Sequence, residues 1–281
     1  MKCPLCLGRG QAQLYPKTKS GRIVRCVHCG FVYADPRAPY IDHSFYPDAD
    51  SAYKANTAEI LKHFKNTVGI TKGKLLDVGC YDGTFAAAAR EFGYNVEAIE
   101  PNAKAAKDCT ARHKIHVYVG KFEEIVLDYY QYDVISFVSV FQYFEKPKMA
   151  AQKAYNLLKP NGAIVIEVPN FACTARRLIG SRWHKFEPED FYFYEPETLR
   201  MLLQEAGFTI MMNQAIGRTF SLDYFANDLS KHYNRAVGRL LSIGGKAFNI
   251  NDVLFSIKIG DNLLCIAQKP DSNTIANRIG A

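Results

Sequence analysis

KLLDVGCYDGTF, residues 74–85, compresses a strand, a turn and a helix start into twelve residues. A short apolar run ends on Asp77, Gly79 and Gly83 punctuate the loop that follows, and Thr84-Phe85 open the alanine-rich stretch TFAAAAREFG with helical spacing. A strand, a tight loop and a helix in that order begin a β-α-β unit. Lacking a Cβ, the two glycines let backbone approach a ligand closely, and the first helical turn offers unpaired N–H groups at the positive end of its dipole. On its own a G-x-x-x-G is only a tight strand-to-helix turn.

Downstream the alternation continues. NVEAIE, HVYVG, YDVISFVSV, AIVIEVP, FTIMMNQAI and NLLCIAQKP are short apolar runs, separated by helical patterns such as AKAAKDCTARH, PKMAAQKAYNLLKP and PETLRMLLQEAGF. This order predicts a doubly wound α/β fold, a mostly parallel sheet with helices on both faces and ligands at the carboxyl ends of its strands. The second strand ends in AIEPN, which places Glu100 where a carboxylate accepts ribose hydroxyl protons, with Pro101 terminating the strand. A strand-terminal acid some twenty residues after a glycine loop fits a nucleotide-bearing cofactor. A dinucleotide site calls for G-x-G-x-x-G, so that pyrophosphate sits on the helix end. Asp77-x-Gly79-x-x-x-Gly83 puts an acid there instead, which repels pyrophosphate and suits an amino group and a sulfonium, the charges of S-adenosylmethionine.

Upstream, residues 3–30 read CPLCLGRGQAQLYPKTKSGRIVRCVHCG. Cys3, Cys6, Cys26 and Cys29 form two C-x-x-C knuckles, the ligand set of a tetrahedral structural Zn2+ with no position left for a substrate water. A redox dithiol or an iron–sulfur site is the competing reading of the same spacing. His28 is expected at the surface rather than on the metal. The remaining four cysteines lie singly in apolar segments, as reduced thiols do. Residues 1–30 hold Lys2, Arg9, Lys17, Lys19, Arg22 and Arg25 and no acid, while the whole chain of 281 residues carries only +7. No apolar run approaches the roughly 20 residues of a membrane span, and no signal-like segment opens the chain, so a cytoplasmic location is expected.

The expected organisation is a zinc ribbon at 1–35, a connector and helical cap at 36–72, the cofactor-binding domain at 73–270 and a flexible tail at 271–281. The cap is an amphipathic helix from about Ala52 to Thr67. A helical insertion at 221–255, spaced by Phe225, Leu229, Val237, Leu240 and Leu241, reads as a lid, a dimer surface or a plain packing element.

LLDVGCYDGTF, VEAIEPN, YDVISFVSVFQYFEKP, LLKPNGAIVIEVPN and FYFYEPETLRMLLQEAGF resemble the successive motifs of class I S-adenosylmethionine-dependent methyltransferases, over roughly Lys74 to Pro270. More narrowly, the chain is similar to a bacterial family in which a four-cysteine ribbon and a DPRP-like connector, here Asp35-Pro36-Arg37-Ala38-Pro39, precede that domain. The resemblance implies a seven-stranded sheet whose last strand, about Asn262 to Gln268, runs antiparallel. It implies that Asp77, Gly79, Cys80, Tyr81, Gly83 and Phe85 form the methionine end of the pocket and that Glu100 holds the ribose. It further implies that Pro101 and Asn102 flank the adenine, that Lys121 and Phe122 meet it, and that Val138, Ser139 and Val140 lie beside the transferring methyl.

Related proteins often carry a histidine after the fourth strand and another in an H-L-Y-Y-F-like segment. This chain has Gln142-Tyr143 and Asp190-Phe191-Tyr192-Phe193-Tyr194 at those places. Asp190, His184 and Tyr143 are the candidates for a proton acceptor, and the aromatic stretch Trp183 to Tyr194 is expected to line the acceptor pocket. The expected acceptor is a small molecule, a sugar, glycan precursor or natural-product hydroxyl. Two other readings stand beside it: an RNA methyltransferase gripping phosphates with the basic ribbon, and a cofactor-binding partner protein without turnover. The oligomeric state is open.

Overall fold

The computed structural model describes residues 2–36, 51–188, 190–232, 234–248, 250 and 253–271. Arg37, Ala38 and Pro39 of the expected connector, and the expected tail beyond Asp271, lie outside the described residues.

Three antiparallel strands open the chain: β1 (Gln11–Thr18), β2 (Gly21–Cys26) and β3 (Val32–Ala34). Helix α1 (Ser51–Val68) follows, close to the expected Ala52–Thr67, and buries Ile60, Leu61 and Phe64 on one side. The alternating part then runs β4 (Gly73–Val78), α2 (Thr84–Glu91), β5 (Tyr94–Glu100), α3 (Ala103–His113), β6 (His116–Val119), β7 (Tyr132–Val138), α4 (Pro147–Leu157), β8 (Leu158–Pro169), α5 (Thr174–Ile179), β9 (Tyr192–Phe193) and α6 (Pro196–Glu205). It closes with β10 (Thr209–Ser221), α7 (Leu222–His232), α8 (Arg235–Ala247) and β11 (Leu254–Gln268).

Seven strands form one sheet in the order β10-β11-β8-β7-β4-β5-β6. β4 to β8 are mutually parallel, and β11 runs antiparallel between β8 and β10, as expected of the last strand. Strand order reverses at β4, whose neighbours are β5 and β7, so the crevice for a ligand opens above the carboxyl ends of β4, β5 and β7. β4 is covered on both faces, with Leu75, Leu76, Asp77 and Val78 all buried, which is why its sequence is continuously apolar except for the acid.

The insertion differs from a simple helical excursion. β10 and β11 pair far beyond the rest of the sheet, from Thr209 opposite Gln268 out to Ser221 opposite Leu254, and α7 and α8 sit at the tip of this long hairpin.

The ribbon is joined to the larger sheet more intimately than a separate module would be. Its own sheet takes β9 as a fourth strand, with Val32 opposite Phe193 and Tyr33 opposite Tyr192. One apolar cluster runs unbroken from Leu5, Val24, Phe31 and Tyr33 into Phe137, Phe141 and Leu199. Arg25 closes the seam with two bonds to the Glu195 carboxylate, at 2.9 and 2.7 Å.

Candidate active site

At the carboxyl end of β4 the chain turns through Gly79, whose φ is +75°. A Cβ built on Gly79 would lie 2.6 Å from Val140 Cγ2, so the loop after β4 and the end of β7 fit together only because this residue has no side chain. The Gly79 and Cys80 amides donate to the Ile99 carbonyl at 2.8 and 3.2 Å, bringing the ends of β4 and β5 side by side. Gly83 (φ +84°) is equally cramped, its place for a Cβ lying 2.4 Å from Cys109 Sγ on α3.

Glu100, the last residue of β5, is buried and clamped by backbone. Oε2 accepts the Tyr81 N–H and Oε1 the Asn102 N–H, both at 2.9 Å. Each carboxylate oxygen is thus fixed in direction by one backbone donor. Asn102 also caps α3, its Oδ1 accepting from the Lys104 and Ala105 amides at 3.0 Å. Gly120 N donates to the Glu100 carbonyl at 3.1 Å, placing exposed Lys121 at the next strand end. Pro101 is exposed.

Asp77 lies inside the sheet at 2% exposure, with Oδ1 accepting from Ser136 Oγ at 2.8 Å and no donor to Oδ2 among the described residues. Burial pushes its carboxyl up to about 7. The Ser136 bond opposes this and the Glu100 charge adds to it. A buried, partly unsatisfied acid at a strand end is a seat for positive charge. Not every expected residue faces the crevice. Phe85 and Cys80 are buried in the core beside α1, and Phe122 packs edge-on against Phe137 at 5.4 Å under the Lys153 ammonium.

Beyond Val138 a cleft opens between β7, β8, β10, β11 and α1, lined by Tyr53, Ser139, Glu167, Ile216, Arg218 and Asn262 among others. The expected helical cap is therefore one wall of it. Asn56 fixes that wall through a reciprocal pair with Thr219, Nδ2 to the carbonyl at 2.9 Å and Oδ1 from the amide at 2.8 Å. Ser139 Oγ donates to Glu167 Oε2 at 2.6 Å, and Asn262 Nδ2 donates to Glu167 Oε1. Arg218 lies close by. Burial works against its charge, but Tyr224, Asp261 and Glu167 outweigh it and hold the guanidinium firmly charged. Asp261 Oδ1 and Asn262 Oδ1 are buried acceptors without a donor among the described residues. Of the two, Asn262 lines the cleft, and a ligand carrying O–H or N–H groups would satisfy its oxygen.

Glu167, Asn262, Arg218 and Asp261 escaped the sequence reading. The signal was present for the first of them, because an acid inside the apolar run AIVIEVP is as conspicuous as Asp77 in KLLDVG. Arg218 and Asn262 are brought in by hairpin register alone.

None of the three expected proton acceptors is among the described residues lining this cleft. Tyr143, half-buried, ends the short turn after β7, with its N–H on the Val140 carbonyl at 3.0 Å. His184 and Asp190 sit in the segment that joins the ribbon, where Ser20 Oγ donates to the Glu187 carbonyl at 2.7 Å and the Ala34 amide to Phe191 O at 3.0 Å. Trp183, Phe186 and Phe193 are buried with Ile23, Val32 and Phe171, so this aromatic stretch cements the ribbon to the sheet rather than facing a solvent-filled pocket.

The four cysteines of the ribbon converge. Their sulfurs all lie within 4.8 Å of one another, with Cys3 to Cys29 and Cys6 to Cys26 both 3.6 Å. A tetrahedron of sulfurs about 2.3 Å from zinc has edges of about 3.8 Å, so the cradle fits that ion. The Leu5 and His28 amides point at Cys3 and Cys26 sulfur, 3.4 Å each, as the outer shell of a thiolate site does. His28 itself is exposed, as expected.

The family model described as a methyltransferase domain matches residues 48–212. Solved structures share the fold. An S-adenosylmethionine-dependent methyltransferase from Thermotoga maritima is 17% identical with a TM-score of 0.53, covering 77% of this chain and 89% of its own. A protein from Galdieria sulphuraria named as a sarcosine dimethylglycine methyltransferase is 19% identical with a TM-score of 0.55, over 83% and 92%. The 4+2 cyclase SpnF, 17% identical with a TM-score of 0.54 over 84% and 87%, has the same architecture under a different chemistry. No curated protein matches the sequence.

Proposed function

This chain belongs to the methyltransferase-domain family, and on that premise we propose that it uses S-adenosylmethionine to methylate a small, hydroxyl-rich acceptor of the sugar, glycan-precursor or natural-product kind. The observation that carries the reading is the position of the polar cleft. It starts at Val138 and Ser139, the end of the strand beside β4, which supports an acceptor bound near the methionine end of a cofactor that the loop after β4 would hold.

S-adenosylmethionine supplies an electrophilic methyl on a sulfonium sulfur. Toward it, Glu100 would accept the ribose hydroxyls, Asp77 and the loop from Gly79 to Gly83 would face the methionine end, and Asn102 and Lys121 would flank the base. On the acceptor side Ser139 would take the hydroxyl proton while passing its own to Glu167. Tyr143, His184 and Asp190 stand as alternatives of lower rank, because Glu167 is the carboxylate that reaches the cleft through a hydrogen bond. Ser139 and Glu167 would hold the acceptor oxygen ready for the methyl that the cofactor would supply, and the acceptor's proton would end on Glu167. A positioned base of this kind is worth about 10²–10⁴ in rate. The four cysteines would hold a structural Zn2+, and residues 1–35 and 73–270 would be the ribbon and the transferase domain.

The RNA reading loses ground to the ribbon's own ion pairs. Arg22 pairs with Asp35, Arg25 with Glu195 and Lys19 with Glu187, so three of its six cations already face carboxylates. Calorimetric titration of the zinc-loaded protein with S-adenosylmethionine, beside Glu100→Ala, tests the cofactor. Turnover assays with nucleotide-sugars, small phenols and RNA then test the acceptor. Absence of binding by the unaltered protein would sink the proposal, and methylation of RNA alone would replace its substrate half.

A further inference from the structure

The hairpin insertion carries a surface that the transferase reading does not use. α8 packs on α7 through a small-residue flank. Gly238 and Gly245 are buried, and a Cβ on Gly238 would meet the Ala226 carbonyl and Ser230 Cβ at 2.5 Å. The next flank of α8 is apolar and faces outward: Leu240 is 70% exposed, Ile243 65% and Phe248, which caps the helix, 78%. Val237, Ile250, Val253 and Leu254 extend the patch along the same hairpin, each more than 40% exposed. Spacing at 237, 240, 241 and 248 is that of one helical face, and a face of this kind ordinarily marks burial. In this protein no described element covers it.

The opposite flank is cationic. Arg235, Arg239 and Lys246 recur at helical spacing and are exposed, and Lys231 precedes them on α7. From Leu229 to Ile250 there is not one Asp or Glu. None of these four cations belongs to an ion pair found among the described residues. At 13 residues the helix is too short to cross a bilayer, and no helix of the described residues is long and apolar enough to do so. An apolar flank backed by an all-basic polar flank is the pattern of a helix lying in the plane of a lipid interface.

We propose that α8, with Phe248, docks on an anionic membrane surface, its apolar flank entering the headgroup boundary and its arginines and lysines facing acidic headgroups. Charge decides between this occupant and a second copy of the chain. Pairing two apolar flanks would leave both sets of four cations uncompensated, whereas anionic lipid around the docked helix neutralises them. The inference does not depend on the transferase reading.

Co-sedimentation of the full chain with vesicles of phosphatidylcholine alone, or of phosphatidylcholine mixed with acidic phosphatidylglycerol, tests it. Binding is expected only to the acidic vesicles. Removing Arg235, Arg239 and Lys246 together as serines should lower the partition coefficient by roughly a hundredfold. Leu240→Glu with Ile243→Glu should abolish sedimentation while leaving the circular dichroism spectrum and cofactor titration unchanged. Failure of the unaltered protein to sediment, or sedimentation that survives the Leu240/Ile243 variant, overturns the proposal. So does a dimer in size-exclusion with light scattering that the same variant dissolves without any vesicle binding, which would assign the face to a second copy.

Discussion

Asp77 and Glu167 are both acids embedded in apolar strands, and each leads to a measurement. For Asp77 the folded carboxyl sits at about 7 against an ordinary 3.8, so between those values the folded chain binds a proton that the unfolded chain has lost. Its contribution to stability is therefore best at low pH and declines as pH rises from about 4 to about 7, by up to about 1.4 kcal/mol per unit. Asp77→Asn removes that slope. Urea melts at several pH values should show the variant gaining on the unaltered protein across this window, and parallel curves would refute the assignment. A bound cation favours the charged carboxyl, so cofactor affinity should strengthen as pH climbs through about 7 and lose that dependence in Asp77→Asn. Glu167→Gln keeps a hydrogen-bonding side chain between Ser139 and Asn262 but cannot take a proton. With an acceptor in hand, its turnover should fall about 10²–10⁴-fold with S-adenosylmethionine affinity within about twofold of the parent. Unchanged turnover would remove Glu167 from the proton path. Asp77 was legible in the sequence because a motif surrounds it, whereas Glu167 was passed over because its partners, Ser139 and Asn262, are 28 and 95 residues away in the chain.

At the scale of elements, periodicity located most strands and helices of the alternating part, because each buries a face that its own sequence must pattern. It missed α5, and it read β10 and β11 as ending at Ile216 and starting at Asn262, short of Ser221 and Leu254. β9 was invisible to that logic. It is two residues long, and its pairing with β3 depends on a neighbour some 160 residues earlier. Yet this short strand decides what the cysteines do for the rest of the molecule. A metal that sets the ribbon also sets β3, and β3 holds Tyr192 and Phe193 in register while Ala34 N binds Phe191 O. Stripping zinc with a chelator, or replacing Cys26 with Ser, should therefore raise amide exchange in residues 187–195 as well as in the ribbon itself, while β4 and β5 keep their protection. Exchange confined to the ribbon would show that β9 is held by the sheet alone. Arg25→Ala offers a metal-independent version of the same test, since it opens the Glu195 seam and leaves every cysteine in place. The seam is partly exposed, so a loss of about 1 kcal/mol or less is expected.

Over the whole molecule, the question is whether ribbon and transferase domain unfold as one body. The ribbon's sequence is poor in large apolar residues and by itself argues for a metal-dependent module. The folded chain changes the balance, because Phe31 and Tyr33 are at 0 and 1% exposure within the cluster that holds Phe137, Phe141 and Tyr194. Phe31 packs on Tyr192 and Tyr194 at 5.3 and 5.5 Å between ring centres, and Tyr194 on Phe141 at 5.7 Å, so an aromatic ladder leads from the second cysteine knuckle to the end of β7. Cutting that ladder with Phe31→Ala should cost about 3–5 kcal/mol, the range for deleting a buried aromatic. Because the cluster is shared, the loss should appear as a lower midpoint of one cooperative calorimetric transition, not as an early separate peak. Two resolved transitions in the zinc-loaded parent would mean that the ribbon folds alone and that the shared cluster contributes little coupling. A single transition would instead place the ribbon inside the cooperative unit that carries Val138 and Ser139. Metal occupancy would then bear on the cleft through packing, without any ligand bond reaching it.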